Sequence, residues 1–273
     1  MSFTEYEASV SQAQPVRLYL FERNSRLYWA YTNTDRTVEF QGRNYLPIAI
    51  EDDGIKQTGE PTNDALTVTV PSNNEIAEFF KGAQPSEEIM LFIREIDWND
   101  PSDAMVIWVG SVASVSIPQE DRAEIKCTSF ESSLQRNLLK HTYNRNCRHA
   151  IYSPECGLNK NLYMVTGTIT AMDGASIVVN LASQPKGSLN YGFIEWPSMN
   201  NFVTEMRGID YVDGTRVYLI GGSAGLKVGQ SIRLYPGCDQ SSHSCQHVFN
   251  NLINYGGFSY LPGKSPFDGS PVF

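Results

Sequence analysis

Apolar and polar positions alternate through much of the first 130 residues, with a period of two that predicts strands. The clearest case is Leu66-Thr67-Val68-Thr69-Val70, where aliphatic and hydroxyl side chains take turns as on a half-buried strand. Val16 to Phe21 and Leu27 to Tyr31 predict a strand pair across a short polar turn. Thr37 to Phe40 and Tyr45 to Ile48 flank Gln41-Gly42-Arg43-Asn44, a hairpin signal. Two longer runs, Ile89 to Ile96 and Met105 to Ile117, predict paired strands across Asn99 to Ser102, and Ala123 to Thr128 a further one. Short strands at regular spacing favour a barrel or a sandwich.

The helical period of 3.6 appears only in short stretches. Asn74 to Lys81 predicts a helix capped by Asn73 or Asn74 and stopped by Gly82. Ser132 to His141 places Leu134, Leu138 and Leu139 on one face. A third helix is expected from Ser244 to about Tyr255, with Val248, Phe249 and Leu252 as its apolar stripe and Gly256-Gly257 as its end. Between the last two, Val165 to Ile169, Ser176 to Leu181, Phe202 to Tyr211, Arg216 to Ile220 and Ser231 to Tyr235 predict a second, smaller β unit. Phe258 to Phe273 shows no period, holds three prolines and two glycines, and reads as an extended arm. The expected class is therefore mainly β: a barrel or split barrel over residues 1–130, a helix and a first cysteine pair over 131–161, an inserted β domain over 162–236, and a second cysteine pair, short helix and arm over 237–273.

Charge refines this division. The chain carries a net −9, yet residues 1–130 hold 21 Asp and Glu against 10 Lys and Arg. The stretch 132–154 holds Arg136, Lys140, Arg145 and Arg148 with no acid. An acidic chain with one short basic island is a poor direct binder of nucleic acid, whose phosphates need clustered cations. That island either is a solvated or partner-binding surface or compensates an anionic centre beside Cys147. No 18 apolar residues run together, so no membrane-spanning helix is expected. Met1 to Pro15 shows no basic stretch followed by an apolar run, so synthesis and folding in a cytoplasm are expected.

Five cysteines in such a chain point toward metal, catalysis or burial before disulfides. Cys127, on an alternating strand, reads as a core residue. The other four form two close pairs: Cys147 and Cys156 with eight residues between them, Cys238 and Cys245 with six. Two loops giving two thiolates each meet the need of a tetrahedral ion or a cubane cluster. The loops are wider than the knuckles of common zinc ribbons and suit a bulkier iron–sulfur core. Three alternatives stay open: a local disulfide within each pair, a zinc site drawing on His243 or His247, and ordinary buried thiols. Cys245 at the first turn of its helix would gain from unpaired N–H groups there.

One motif is a decoy. Gly221-Gly222-Ser223-Ala224-Gly225 matches the nucleophile-elbow pattern, but that pattern needs a helix directly after the serine, and Leu226 to Gln230 leads into another strand. No phosphate loop, dinucleotide fingerprint or H-E-x-x-H occurs. A tail-associated cell-wall hydrolase is the competing enzymatic reading, and no segment offers its paired carboxylates or Cys–His site. The expectation is a protein that is not an enzyme.

The cysteine stretches resemble a known family. Asn146 to Leu158 (NCRHAIYSPECGL) is similar to a run typical of phage tail-tip hub proteins, as are Gly237-Cys238-Asp239, Cys245, Phe249-Asn250, Asn254 to Phe258 and Leu261-Pro262-Gly263. Tyr31 to Asp35, Val38 to Gly42 and Tyr45 look like the N-terminal signature of the same group, which includes the lambda-like minor tail protein L and the hub proteins of gene transfer agents. The resemblance implies a homotrimeric hub at the virion tail tip, assembled in the host cytoplasm. Its implied partners are the distal tail protein ring and the central fibre or tip protein, with the tape measure protein as a further candidate contact. It also implies a 4Fe–4S cluster held by Cys147, Cys156, Cys238 and Cys245, with zinc as the alternative. The departure is the 81 residues separating the pairs, longer than in the lambda-like form and comparable with the insertion of gene-transfer-agent hubs.

Overall fold

The computed structural model describes residues 14–24, 27–56, 64–81, 84–134, 141–198 and 203–261. The chain divides into two compact units, residues 1–137 and 138–273. Both are built mainly from strands, and no described helix is long and apolar enough to cross a membrane.

In the first unit, β1 (Pro15–Arg23), β2 (Leu27–Thr32), β3 (Val38–Phe40), β4 (Arg43–Pro47), β5 (Glu51–Asp52), β6 (Leu66–Pro71), β7 (Met90–Asp97), β8 (Asp100–Gln119) and β9 (Arg122–Ser129) form one sheet. Its order is β3-β4-β2-β1-β7-β8-β9-β6-β5. Neighbours are antiparallel except β2 and β4, which run parallel with Tyr31 opposite Leu46. The alternation read in Leu66 to Val70 is realised: Leu66, Val68 and Val70 are buried and the threonines between them half-buried. Gln41 and Gly42 take φ of 50° and 72°, the left-handed pair that a tight two-residue hairpin needs. Leu18, Leu20, Val38, Phe40, Tyr45 and Ile96 pack into one core cluster.

Of the barrel or split barrel expected here, a fully closed barrel is not formed among the described residues, because the strand order has two ends. Its outer strands β3 and β5 have three and two residues, and no pairing joins them among the described residues. Strands that short cannot carry a closing ladder. Between β5 and β1 of the same sheet, Asp52 accepts from Arg17 at 2.7 Å and from the Tyr19 hydroxyl at 2.6 Å. Burial pushes the Asp52 carboxyl up, but these two donors and the Arg17 charge outweigh it and hold it below the usual carboxylate range.

Helix α1 (Glu75–Phe79) lies where the periodicity puts it, and the Asn74 side chain caps it by accepting from Ile76 N–H at 2.9 Å. Its predicted stop, Gly82, lies outside the described residues. Helix α2 (Phe130–Leu134) covers only the start of the helix expected over Ser132 to His141. Residues 135–140 of that expectation, with Arg136, Leu138, Leu139 and Lys140, lie outside the described residues, as do residues 262–273 of the expected arm.

The closed barrel belongs to the second unit. β10 (Val165–Asp173), β11 (Ser176–Leu181), β12 (Phe193–Ser198), β13 (Val203–Asp213), β14 (Arg216–Leu219) and β15 (Ser231–Tyr235) close in the order β10-β11-β14-β13-β12-β15. β15 returns to pair with β10, setting Val165 opposite Leu234. Ile169, Ile177, Ile194, Trp196, Ile209, Ile232 and Leu234 fill the interior. β12 has no counterpart among the strands read from the sequence. Pro197 interrupts its apolar run, and a proline donates no ladder hydrogen bond. The fold accommodates it because β15 pairs only with Phe193 to Glu195, leaving Pro197 paired on its β13 side alone.

Candidate metal centre

The four paired cysteines lie outside the barrel, on the two segments that lead into it and out of it. Cys147 is on an irregular loop, and its N–H donates to the Gln240 carbonyl at 2.8 Å, stitching the first cysteine segment to the second. Cys156 follows a turn in which its own N–H donates to Ser153 Oγ at 3.3 Å. Cys238 leaves β15 after Pro236-Gly237. Cys245 is the buried residue of helix α3 (Ser242–His247), which Ser241 caps by accepting from Ser244 N–H at 3.1 Å.

The helix expected from Ser244 to Tyr255 is corrected to these six residues and a separate 3-10 turn at Leu252–Asn254. Asn250 turns left-handed at φ 48°, and Asn251 N–H reaches back to the Cys245 carbonyl at 2.8 Å. Asn250 N–H itself donates to the Gln246 carbonyl at 3.2 Å, the single bond of an αL stop, for which asparagine can replace glycine. Of the expected stripe only Phe249 is buried; Val248 and Leu252 are exposed. Cys245 N–H is spent on the Ser241 carbonyl at 3.1 Å, so it is not the free donor expected for its thiol.

All five cysteines are free thiols. Burial raises the Cys238 pKa, and the charges of Asp239, Cys147 and Cys156 add to it. Cys245 is pushed up to about 11 by burial and then by Cys147, Cys238 and Cys156. The four therefore share one electrostatic neighbourhood, in which each thiolate opposes the next. Even so, among the described residues no group of three or more His, Cys, Asp or Glu is disposed to hold a metal ion. The sulfurs are near enough to feel one another's charge without forming a ready-made cage.

Donors converge on them. Gln240 N–H points at Cys238 Sγ (3.3 Å), Gly256 N–H at Cys147 Sγ (3.3 Å) and Asn251 Nδ2 at Cys156 Sγ (3.7 Å). Asn251, buried, also donates to the Cys156 carbonyl at 2.6 Å, so one amide ties the first pair to the second. Such N–H groups favour an anionic sulfur core. The basic island does this less directly. Burial and the other thiols govern the pKa of Cys238 and Cys245, Arg145 donates to the Leu261 carbonyl at 2.6 Å, and Arg148 is exposed.

An aromatic clamp fixes the cysteine segments to the barrel. Tyr152 rests on Tyr163, Phe193 and Tyr235 with ring centroids 6.0–6.3 Å away, and its hydroxyl donates to the Pro236 carbonyl at 3.0 Å. Its backbone is left-handed (φ 64°), a cost of order 1–3 kcal/mol for a non-glycine residue that these contacts offset. Tyr163 meets Phe249 at 5.4 Å. Buried Glu195 on β12 accepts from Tyr235 at 2.9 Å and pairs with Lys160 at 2.7 Å, four residues after Cys156. Burial, with the hydrogen bond to Glu195, pushes Tyr235 up to about 12. Tyr152, Lys160, Glu195 and Asn251 were not among the candidate residues read from the sequence. Glu195 was hidden with β12, while Tyr152 stood inside the run that carries Cys147 and Cys156.

The remaining candidates fall away from this centre. Cys127 is buried on β9 opposite Leu66 and Val112, with its thiol pushed up to about 12 by burial. Cys127→Ala is expected to cost about 1 kcal/mol of stability, as read by denaturation midpoint. Ser223 is a buried turn residue whose Oγ and N–H both donate to the Gly174 carbonyl, at 3.1 and 2.7 Å. Turns, not a helix, follow it, so the elbow motif lacks its geometry.

Comparison with known proteins places this architecture. The family model described as "Baseplate hub protein, N-terminal attachment domain" matches residues 5–159, more than half of the chain. A second, "Phage conserved hypothetical protein BR0599", matches residues 187–265. An uncharacterized protein of Xylella fastidiosa (strain 9a5c) is 26% identical over 188 residues, 63% of this chain, and the chain spans 38% of that relative's length. A chain from the virion of a native gene transfer agent particle shares the fold at a TM-score of 0.80, covering 99% of this chain and 96% of its own, with 18% identity.

Proposed function

The chain belongs to the phage baseplate hub family and is a structural protein of the virion tail, and from that premise we propose that it is the tail-tip hub whose four paired cysteines hold a 4Fe–4S cluster. In this reading it forms a homotrimer joining the distal tail ring to the central fibre, with the tape measure protein as a further contact. The observation that carries the metal assignment is the convergence of four free cysteines, from segments 81 residues apart, into one neighbourhood, where backbone and side-chain N–H groups point at three of the sulfurs and Cys147 and Cys156 help raise the pKa of Cys238 and Cys245. A polynuclear iron core would stabilise four thiolates together. The donor set fits. Cys147 and Cys156 would supply one half of the ligation and Cys238 and Cys245 the other, with Gln240, Gly256 and Asn251 donating to sulfur. Bound there, the cluster would supply a covalent cross-link between the segments entering and leaving the barrel. The chain's own residues do the positioning through Tyr152, Glu195–Lys160 and Asn251.

Anaerobic purification of the full chain tests this. The expected preparation is brown, with broad visible absorbance and iron and acid-labile sulfide in equal amounts. A colourless protein carrying zinc would overturn the cluster and keep a metal hub. Four titratable thiols without either metal would overturn the centre itself. Sedimentation separately tests the trimer, which a monomeric holoprotein at high concentration would refute.

A further inference from the structure

The chain has four histidines, His141, His149, His243 and His247, and two of them face each other. On α3, His243 and His247 stand one helical turn apart with ring centroids 4.5 Å from one another and planes 45° apart. Both are exposed, whereas Cys245, midway between them, is buried. At 3.6 residues per turn, a residue two positions from each histidine lies on the opposite side of the helix. The imidazoles therefore face away from the thiol centre, which removes them as candidates for completing a zinc site with Cys245.

Two histidines at i and i+4 on one helix face supply two nitrogen donors to one cation, the spacing that zinc-binding H-E-x-x-H helices use. Imidazole suits zinc, copper and nickel, where a hard oxygen-seeking cation would not compete. The backbone beneath the pair is well held: Ser241 caps the first turn, and Val248 N–H donates to the Ser244 carbonyl at 3.0 Å at the end of the last. Solvent reaches both rings, so water can fill the other coordination positions.

We infer that His243 and His247 form an exterior two-imidazole site for a divalent transition-metal cation, separate from the four-cysteine centre. The site has a structural consequence. Six residues are too few for a helix to persist on its own strength, and a cation bridging its two turns fastens the helix that carries Cys245.

The test uses the full chain, purified anaerobically without a histidine tag, on nickel-charged iminodiacetate resin. The native protein is expected to be retained until imidazole competes. Single His243→Ala and His247→Ala variants are expected to lose that retention, and the His141→Ala/His149→Ala pair to keep it. His247→Gln, which preserves polarity and helix contacts, is expected to lose it too. Circular dichroism and iron content matching the native protein show that each variant is folded. In solution, the native holoprotein is expected to take up one more equivalent of nickel than His243→Ala/His247→Ala, and nickel to slow proteolysis between residues 242 and 258 in the native protein only. Passage of the native chain unretained overturns the site. So does retention that survives loss of both His243 and His247.

Discussion

Replacing Cys156 by serine is expected to unfasten residues 238–258 while the barrel and the nine-stranded sheet stay folded. Those residues have little core of their own: Cys245, Phe249 and Asn251 are buried there, and Val248, Leu252, Ile253 and Phe258 are exposed. Asn251 reaches back from them to the Cys156 segment and Phe249 packs against Tyr163, and the proposed cluster would supply the rest of their order. A serine oxygen is a poor ligand for iron or zinc and shorter than sulfur, so on the proposed function removing one ligand would forfeit the cross-link. Structural metal sites contribute on the order of 10 kcal/mol where ligands are otherwise unordered. Here the aromatic clamp keeps part of the order, and the expected loss is smaller, though still several kcal/mol. Iron per chain should fall to near background in Cys147→Ser, Cys156→Ser, Cys238→Ser and Cys245→Ser alike. Limited proteolysis with mass analysis should find new cuts between residues 238 and 261, and none in the barrel strands. Resistance of that block in all four variants would sink the idea.

Gly237→Ala is expected to be strongly damaging although it replaces no cysteine. A Cβ there would stand 2.2 Å from the Asn190 carbonyl oxygen, 2.4 Å from Gly192 N and 2.4 Å from the Tyr191 carbonyl carbon. All three are backbone atoms, so no rotamer relieves the clash. Gly237 N–H is also bound to the Ser188 carbonyl at 2.9 Å, and the strand cannot retreat without breaking that bond. Overpacking of this kind costs about 3 kcal/mol or more. Because Cys238 is the next residue, its sulfur moves with the backbone and iron content should fall as well. Gly221→Ala makes the comparison: its Cβ meets nothing within 4 Å, and only the left-handed φ of 86° opposes it, at about 1 kcal/mol. Chemical denaturation and iron analysis of the two variants side by side decide the matter. Equal stability losses, or unchanged iron in Gly237→Ala, would refute the argument.

What could be read from the residues follows from how local each signal is. β6 and β9 announce themselves because one face is buried and the side-chain period is two, and the Asn74 cap is written in adjacent residues. Closure is another matter. Whether a row of strands stays open, as β3 to β5 do, or joins end to end, as β10 to β15 do, depends on pairings between remote segments that periodicity does not carry. The helix after Cys245 was overextended because Val248, Phe249 and Leu252 have helical spacing. The stop signal was Asn250-Asn251, and asparagine in the left-handed region gives a weaker cue than Gly256-Gly257. The two cysteine pairs were visible as spacing. What brings them together was not, since Tyr152, Glu195 and Asn251 act across 84, 35 and 95 residues.

The return of β15 onto β10 makes the whole barrel a detour. Val165 and Leu234 sit as partners on adjacent strands, about 5 Å apart, so the chain leaves almost where it entered. With the barrel folded, the tether between the two cysteine pairs shrinks from 81 residues to roughly ten flexible positions. By the logarithmic cost of ring closure, that removes about 2 kcal/mol of entropy from bringing Cys156 and Cys238 together. A short turn spliced between Val165 and Leu234 would keep the same starting distance. The six strands are thus an excisable cassette as far as the thiol spacing is concerned, provided that Tyr152 finds another aromatic surface to lean on and Lys160 another carboxylate in place of Glu195.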